Sequence, residues 1–185
     1  MKISGKQLEK IILSEMSKAN TLFARDLVLA DTDLFKPLFN MILRNAEPLS
    51  RRAIWIMDYV LEAQPNLISK TYIIKLIDNL NNYSHEALIR HSLRIIARYK
   101  IPESHSAKLL NTCFDYLLDP KTSIASKAWS MDILYEFSEE EPDLKQELIT
   151  AIEMNLEHAS AGIKNKAVKM IKKLKKQVFL HSIMK

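Results

Sequence analysis

The chain has 185 residues, a formal net charge of +5 and 48% hydrophobic residues, and this length fits one domain with a substantial core. Only two glycines and one cysteine occur, which leaves little material for glycine-rich phosphate loops and excludes an intramolecular disulfide or a cysteine-based zinc site. The abundance of Leu, Ile, Ala, Lys and Glu favours helices. We therefore predict a single all-α domain over residues 1–185.

The start of the chain and its hydropathy predict a cytoplasmic protein. Glu9 and Lys10 interrupt the N-terminal apolar pattern, so a signal peptide is not expected. No segment approaches the roughly 20 apolar residues that a membrane span requires. The single cysteine, Cys113, fits a reducing compartment and is expected to be a small buried core residue. We predict no membrane partner.

Apolar periodicity and stop signals predict ten helices joined by short connections, so successive helices should be antiparallel neighbours. Ser4 and Gln7 form a capping-box signature before the first helix, and Ser84 and Ser160 are the expected N-caps of the sixth and tenth helices. The predicted helices span about residues 5–18, 20–30, 34–45, 49–63, 67–80, 87–99, 104–118, 122–137, 143–157 and 161–177.

An internal repeat gives the best evidence for organisation. The octet Trp55–Glu62 recurs as Trp129–Glu136 with the shared pattern W-x-M-D-x-x-x-E, and the two copies lie 74 residues apart, or two steps of 37. Each copy is followed by a proline, Pro65 or Pro142, and then by another helix. A unit of about 37 residues that holds two helices is typical of a stacked-pair solenoid.

The helix-pair length, the prolines between helices and the Asp and Arg positions resemble HEAT-type repeats, which are related to armadillo repeats. The middle unit departs from the pattern, since Ser92, Ile95 and Tyr99 stand in place of Trp, Asp and Glu. The resemblance implies a right-handed α-solenoid of about five antiparallel helix pairs. It also implies a binding habit, without a specific partner and without a cofactor.

Three charged stripes carry the functional hypotheses. In each octet the Trp, Asp and Glu lie within about 60° of one another on a helical wheel, and the central helix shows three arginines at i, i+4 and i+8. These stripes can pair as a ladder of ion pairs between stacked repeats, with Asp58/Glu62 on one side of the arginines and Asp132/Glu136 on the other. They can also form the concave surface that binds a protein or nucleic acid, because Trp and Arg are typical of binding hot spots. The predicted binding residues are Trp55, Asp58, Arg90, Arg94, Arg98, Trp129 and Asp132.

The same residues are similar in kind to the concave-face tryptophans, aspartate and arginine of AlkD-type bacterial alkylpurine DNA glycosylases, which are HEAT-like. That resemblance implies Asp58 or Asp132 as the catalytic carboxylate that stabilises the cationic sugar. Aromatic faces would hold the alkylated base by cation–π attraction. We predict a non-enzymatic binding scaffold that prefers a protein to DNA, with an AlkD-like DNA-binding or repair protein as the alternative.

A lysine-rich helix near the end of the chain carries most of the positive charge. Seven lysines and no acidic residue lie between Ile163 and Lys176, which leaves −2 for the rest of the chain. Two interpretations stay open, a solvated outer face that ends the solenoid and a patch that binds phosphates or an anionic surface. The predicted basic patch is Lys166, Lys169, Lys172, Lys173 and Lys176. The five histidines show no metal-binding spacing, so no metal site is predicted.

Overall fold

The computed structural model describes residues 2–156 and 161–183 and contains α-helices, short 3-10 turns and no strand in these ranges. The prediction of an all-α fold is confirmed. The ten described helices are α1 Gly5–Ser14, α2 Lys18–Ala30, α3 Phe35–Leu43, α4 Leu49–Ala63, α5 Lys70–Asn79, α6 Glu86–Ile96, α7 Glu103–Leu118, α8 Ile124–Glu140, α9 Leu144–Leu156 and α10 Ala161–Ile183. Single 3-10 turns cover Thr32–Leu34, Pro65–Leu67 and Leu80–Asn82.

The helices pack as successive pairs. The first member of each pair contacts the second, giving α1 with α2, α3 with α4, α5 with α6, α7 with α8 and α9 with α10. The chain divides into two compact units, Met1–Pro102 with the first three pairs and Glu103–Lys185 with the last two. That the two units fold together as one domain stays a prediction from the sequence.

Helix α4 is the centre of the first unit, because α1, α2, α3 and α6 all pack against it. Its inner positions Ala53, Met57 and Val60 are fully buried, and they recur at the three- and four-residue spacing that places side chains on one helical face. In the second unit α7 packs on α8 and α9 packs on α10. Leu109, Leu134, Leu148 and Leu174 contribute to the buried core there, one from each of the four helices.

The helix ends follow local capping chemistry. Ser4 accepts from the Gln7 amide while the Gln7 side chain accepts from the Ser4 amide, so the predicted capping box is present. The predicted cap of the sixth helix is wrong, because Nδ1 of His85 accepts from the Ala87 amide at 3.1 Å and His85, not Ser84, is the N-cap. The predicted cap Ser160 lies outside the described residues.

Two predicted helix bounds change by more than three residues. The first helix ends at Ser14 instead of continuing to 18, since Ser17 caps α2 by accepting from the Asn20 amide at 3.1 Å. The last helix runs to Ile183 rather than stopping at 177, and no proline or glycine after residue 177 interrupts it. The lysine-rich segment is therefore part of a longer helix than expected.

Candidate functional site

The aspartate of the first octet is a buried charge. Asp58 lies on α4 with only 1% of its side chain exposed. Its carboxylate accepts hydrogen bonds from two side chains of α6, His91 and Arg94, and from Arg98, which lies just after the end of α6. Oδ2 accepts from Arg94 Nη1 at 2.8 Å and contacts His91 Nδ1 at 2.8 Å, and Oδ1 accepts a short bond from Arg98 Nη2. We call this group the Asp58 cluster.

Hydrogen-bond geometry assigns the proton on His91. Nε2 of its ring lies 3.3 Å from Nη2 of Arg90, and a guanidinium can only donate. Nε2 is therefore the acceptor, and Nδ1 carries the hydrogen that it donates to Asp58. Two guanidinium groups and one imidazole thus donate to the same carboxylate.

The Asp58 cluster stabilises the ionised carboxylate. Burial by itself raises the pKa of Asp58, but the hydrogen bond from His91 and the charges of Arg98 and Arg94 outweigh it and hold the pKa below its ordinary value. Asp58 is consequently a charged anchor at neutral pH. Every oxygen of the carboxylate already accepts from a neighbour, so the group is engaged in the fold.

Arg90 and Arg94 of α6, and Arg98 just after its end, remain partly accessible. The exposed fraction of the side chain is 41% for Arg90, 34% for Arg94 and 29% for Arg98. Arg94 also lies 3.7 Å from a Glu62 carboxylate oxygen, and Arg90 lies 4.0 Å from one of Glu86. The ladder predicted between α4 and α6 is therefore present within the first unit.

Trp55 lies one turn before Asp58 on α4 and is half-buried. Its ring is tilted against the ring of Tyr59, with 6.4 Å between the centroids. We define the arginine face as Trp55 together with Arg90, Arg94 and Arg98. It combines an aromatic ring with three guanidinium groups.

The second octet makes a simpler contact. Asp132 of α8, with 36% of its side chain exposed, accepts from Lys166 Nζ of α10 at 2.5 Å. The same ammonium lies 5.7 Å from the ring centroid of Trp129, within the range of a cation–π contact. The expectation that Asp132 pairs with the central arginines is wrong, because Lys166 is its ion-pair partner.

Comparison with known proteins identifies the repeat. The family model described as HEAT repeat domain matches residues 8–174. The chain belongs to the HEAT repeat family. No curated protein and no solved structure matches it. In this HEAT repeat protein the two octets lie at corresponding places, each on the second helix of a pair, and each aspartate meets a cation on the second helix of the next pair.

The basic patch of this HEAT repeat protein divides into two groups of lysines. Three of the seven have partners, since Lys166 pairs with Asp132, Lys175 with Glu153 at 2.8 Å, and the Lys173 ammonium lies 4.1 Å from the Tyr135 ring centroid. The four exposed lysines outside these contacts are Lys164, Lys169, Lys172 and Lys176. These four lysines are the outer lysines of α10.

His91 is a member of the site that the sequence pattern does not single out. Only the packing of α6 on α4 shows that the residue is 7% exposed and that its ring contacts Asp58. Cys113 is buried as expected, and burial raises the pKa of its thiol to about 12 although the Ser130 hydroxyl lowers it. A thiol with that pKa is not a nucleophile at neutral pH.

The described residues provide neither a metal-binding group nor a membrane-spanning helix. Residues 2–156 and 161–183 contain no group of three or more His, Cys, Asp or Glu side chains placed to hold a metal ion. None of the helices described in those ranges combines the length and the apolar composition that crossing a membrane demands. The side chains that distinguish this protein are therefore the Asp58 cluster, the arginine face, the Trp129–Asp132–Lys166 group and the outer lysines of α10.

Proposed function

We propose that the protein is a non-enzymatic cytoplasmic scaffold and that its arginine face binds a macromolecular partner. HEAT repeats commonly mediate protein interactions, and the family match covers residues 8–174. The observation that carries the proposal is the Asp58 cluster, which holds Arg94 and Arg98 while leaving about a third of each side chain exposed. Trp and Arg are the residues most enriched at interface hot spots.

Preorganisation is the physical basis of the proposal. An arginine loses considerable rotamer freedom when a partner fixes it, at a cost of roughly 0.5–1.5 kcal/mol per side chain. Arg98 already donates Nε to the Arg94 carbonyl at 3.2 Å and Nη2 to Asp58. Much of that cost is therefore met when the protein folds. A partner would meet guanidinium groups that are already oriented.

The charge balance of the arginine face favours a protein partner over DNA. The three arginines face three carboxylates, those of Asp58, Glu62 and Glu86. A surface with balanced charge offers little of the counterion-release energy that dominates binding to a phosphate backbone. Mixed charges beside an aromatic ring are instead the chemistry of a specific protein interface.

Affinity capture with matched variants tests this function. The tagged full-length protein should retain a reproducible set of partners, and Trp55→Ala or Arg98→Lys should reduce at least one of them tenfold or more by quantitative mass spectrometry. Phe23→Ala is the control, because Phe23 is an exposed aromatic side chain on α2. If the same partners persist in both variants, or if the control loses them equally, the arginine face is not the binding surface.

The second candidate is an AlkD-like DNA-binding or DNA-repair protein, and the Trp129–Asp132–Lys166 group favours it. Asp132 is the more accessible of the two aspartates and lies beside an aromatic ring, whereas the carboxylate of Asp58 is occupied by the cluster. The outer lysines of α10 could hold phosphates. A carboxylate in reach of the sugar could then stabilise the charge that develops as a glycosidic bond breaks.

Salt-dependent binding and base release discriminate the two candidates. A DNA-binding protein should lose affinity for duplex DNA steeply as salt rises, and substitution of Lys169, Lys172 and Lys176 by Gln should reduce that slope. A glycosylase should release alkylated base and lose that activity in Asp132→Asn, with Asp58→Asn tested in parallel. Absence of DNA binding at low salt would remove both nucleic-acid functions and leave the protein scaffold.

A further inference from the structure

The second unit contains a cavity of about 550 Å³ between its four helices. Its inner wall is apolar and buried, with contributions from Leu117 of α7, Met131 of α8, Ile152 of α9, and Ile163 and Ala167 of α10. Small-molecule sites in proteins have volumes of roughly 300–1,000 Å³ and predominantly apolar walls. The cavity therefore has the size and the lining of a small-molecule site.

Exposed apolar side chains surround the same cavity. Leu118, Ile124 and Met154 line it and are 43%, 56% and 70% exposed. Their positions come from α7, α8 and α9, so the exposed side chains converge from three helices. Exposing several large apolar side chains to water is unfavourable. A cluster of such side chains marks a binding site more often than a single exposed residue does.

One charged side chain lines this apolar cavity. Lys127 of α8 donates Nζ to Asn155 Oδ1 of α9 at 2.8 Å, and Asn155 is held in that orientation because its Nδ2 donates to the Ala151 carbonyl at 3.0 Å. No carboxylate in the described part of the chain forms an ion pair with Lys127. Burial lowers the pKa of this lysine, and the more distant charge of Asp119 offsets only part of that effect.

We propose that this cavity binds a small amphiphilic carboxylate, an apolar chain that ends in one carboxylate. The apolar chain would lie against the inner wall and beneath the three exposed side chains. Its carboxylate would accept a hydrogen bond from the Lys127 ammonium, which Asn155 holds in position. This inference does not depend on the proposed function, since the arginine face belongs to the other unit of the chain.

The chemistry of the lining favours this ligand over others. A neutral apolar molecule would leave the ammonium of Lys127 with a single neutral partner in a partly desolvated place, which is unfavourable. A nucleotide or a polyanion would bring several charges against apolar walls that offer one cation. A single carboxylate on an apolar chain satisfies both parts of the site.

Titration of the full-length protein with sodium decanoate tests the proposal. In two-dimensional ¹H–¹⁵N spectra, decanoate should cause saturable shifts that include Leu118, Lys127 and Met154, and 1-decanol should bind at least tenfold more weakly. Lys127→Gln should weaken decanoate binding about tenfold or more, as expected for loss of a charged hydrogen bond. Lys127→Arg should retain most of the affinity, because it keeps the charge.

Lys121→Gln is the matched control, since Lys121 is an exposed lysine just before α8, and it should bind decanoate as the unmodified protein does. Each variant is first checked for an unchanged unfolding midpoint. The proposal is overturned if decanoate does not bind saturably, or if decanol binds as tightly as decanoate. It is also overturned if Lys127→Gln and the control bind equally well, and in that case the cavity is a purely apolar contact surface.

Discussion

A buried carboxylate such as Asp58 is stable only where its neighbours replace the water that it loses on folding. The Asp58 cluster does this with two guanidinium groups and an imidazole. Such an arrangement need not stabilise the fold more than apolar side chains would, yet removal of one partner leaves an uncompensated charge. The cluster should therefore be very sensitive to single substitutions.

Asp58→Asn should lower the free energy of unfolding by about 3 kcal/mol at neutral pH, because the change leaves Arg94 and Arg98 without their shared carboxylate. Urea unfolding followed by far-ultraviolet circular dichroism measures the effect. Glu62→Gln, one turn further along α4 and 55% exposed, is the control and should change stability by less than about 0.5 kcal/mol. Similar losses in the two variants would mean that the cluster is not the stabilising element.

The same comparison predicts a pH dependence with a defined sign. Because the pKa of Asp58 is lower in the folded protein than its ordinary value, the folded state favours the ionised form. Its stabilising contribution is fully present above that ordinary value and is lost as pH falls through the lower, folded-state pKa. The stability difference between Asp58→Asn and the unmodified protein should thus narrow below about pH 4. A constant difference down to pH 2 would contradict this assignment.

Arg94 and Arg90 provide a second test on one helix. Arg94→Ala should cost about 1–2 kcal/mol, since it removes a charged hydrogen bond to a buried carboxylate. Arg90→Ala should cost no more than about 0.5 kcal/mol, because its acidic partner within the described residues is Glu86, 4.0 Å away in an exposed pair. Chemical denaturation of both variants at the same salt concentration measures the difference. Equal costs would show that the bond to Asp58 adds nothing.

At the scale of elements, Asn45 joins successive helix pairs of the first unit. Its backbone has φ of 51° after α3, in the left-handed region that Asn and Gly adopt most easily. From there its side chain donates to the Asn82 carbonyl at 2.9 Å and accepts from the amide and hydroxyl of Ser84 at 3.0 and 2.9 Å. One residue thereby fixes the loop before α4 to the loop before α6.

Two substitutions of Asn45 separate its backbone conformation from its hydrogen bonds. Asn45→Ala loses both and should lower the free energy of unfolding by about 2–3 kcal/mol. Asn45→Gly loses only the hydrogen bonds, since glycine adopts positive φ without strain, and should be about 1 kcal/mol more stable than the alanine variant. Urea denaturation measures both, and a glycine variant no more stable than the alanine variant would contradict the backbone argument.

How well the sequence predicts a feature of the structure depends on how far apart in sequence the interacting residues lie. The bounds of α4 were predicted as observed and the capping box of α1 was found, because both depend on residues close in sequence. The pairing of Asp58 and Asp132 depends on which helix packs against which. Helical periodicity favours a pairing of both aspartates with the arginines. In the structure Asp58 pairs with an arginine of α6, and Asp132 pairs with Lys166. No sequence pattern indicates a role for Lys127, because its partner Asn155 is distant in sequence.

At the scale of the whole molecule, the two octets share an interaction as well as a sequence pattern. Asp58 on α4 contacts α6, and Asp132 on α8 contacts α10, so each aspartate meets a cation on the helix two further along. The first contact is buried and has several donors, while the second is an open pair. The same kind of contact thus occurs in both units, and the first unit makes it with more buried hydrogen bonds.

The two tryptophans allow a test of whether residues 1–185 form one domain, as the sequence predicts. Trp55 lies in the first unit and Trp129 in the second, so Trp129→Phe and Trp55→Phe each leave one fluorescent reporter. The HEAT family match runs without interruption across residues 102 and 103, and neighbouring repeats in such arrays stabilise each other. We expect both reporters to show the same urea midpoint, matching that from circular dichroism. Midpoints that differ by more than the error, with each variant as stable as the unmodified protein by circular dichroism, would instead identify two independently folding domains.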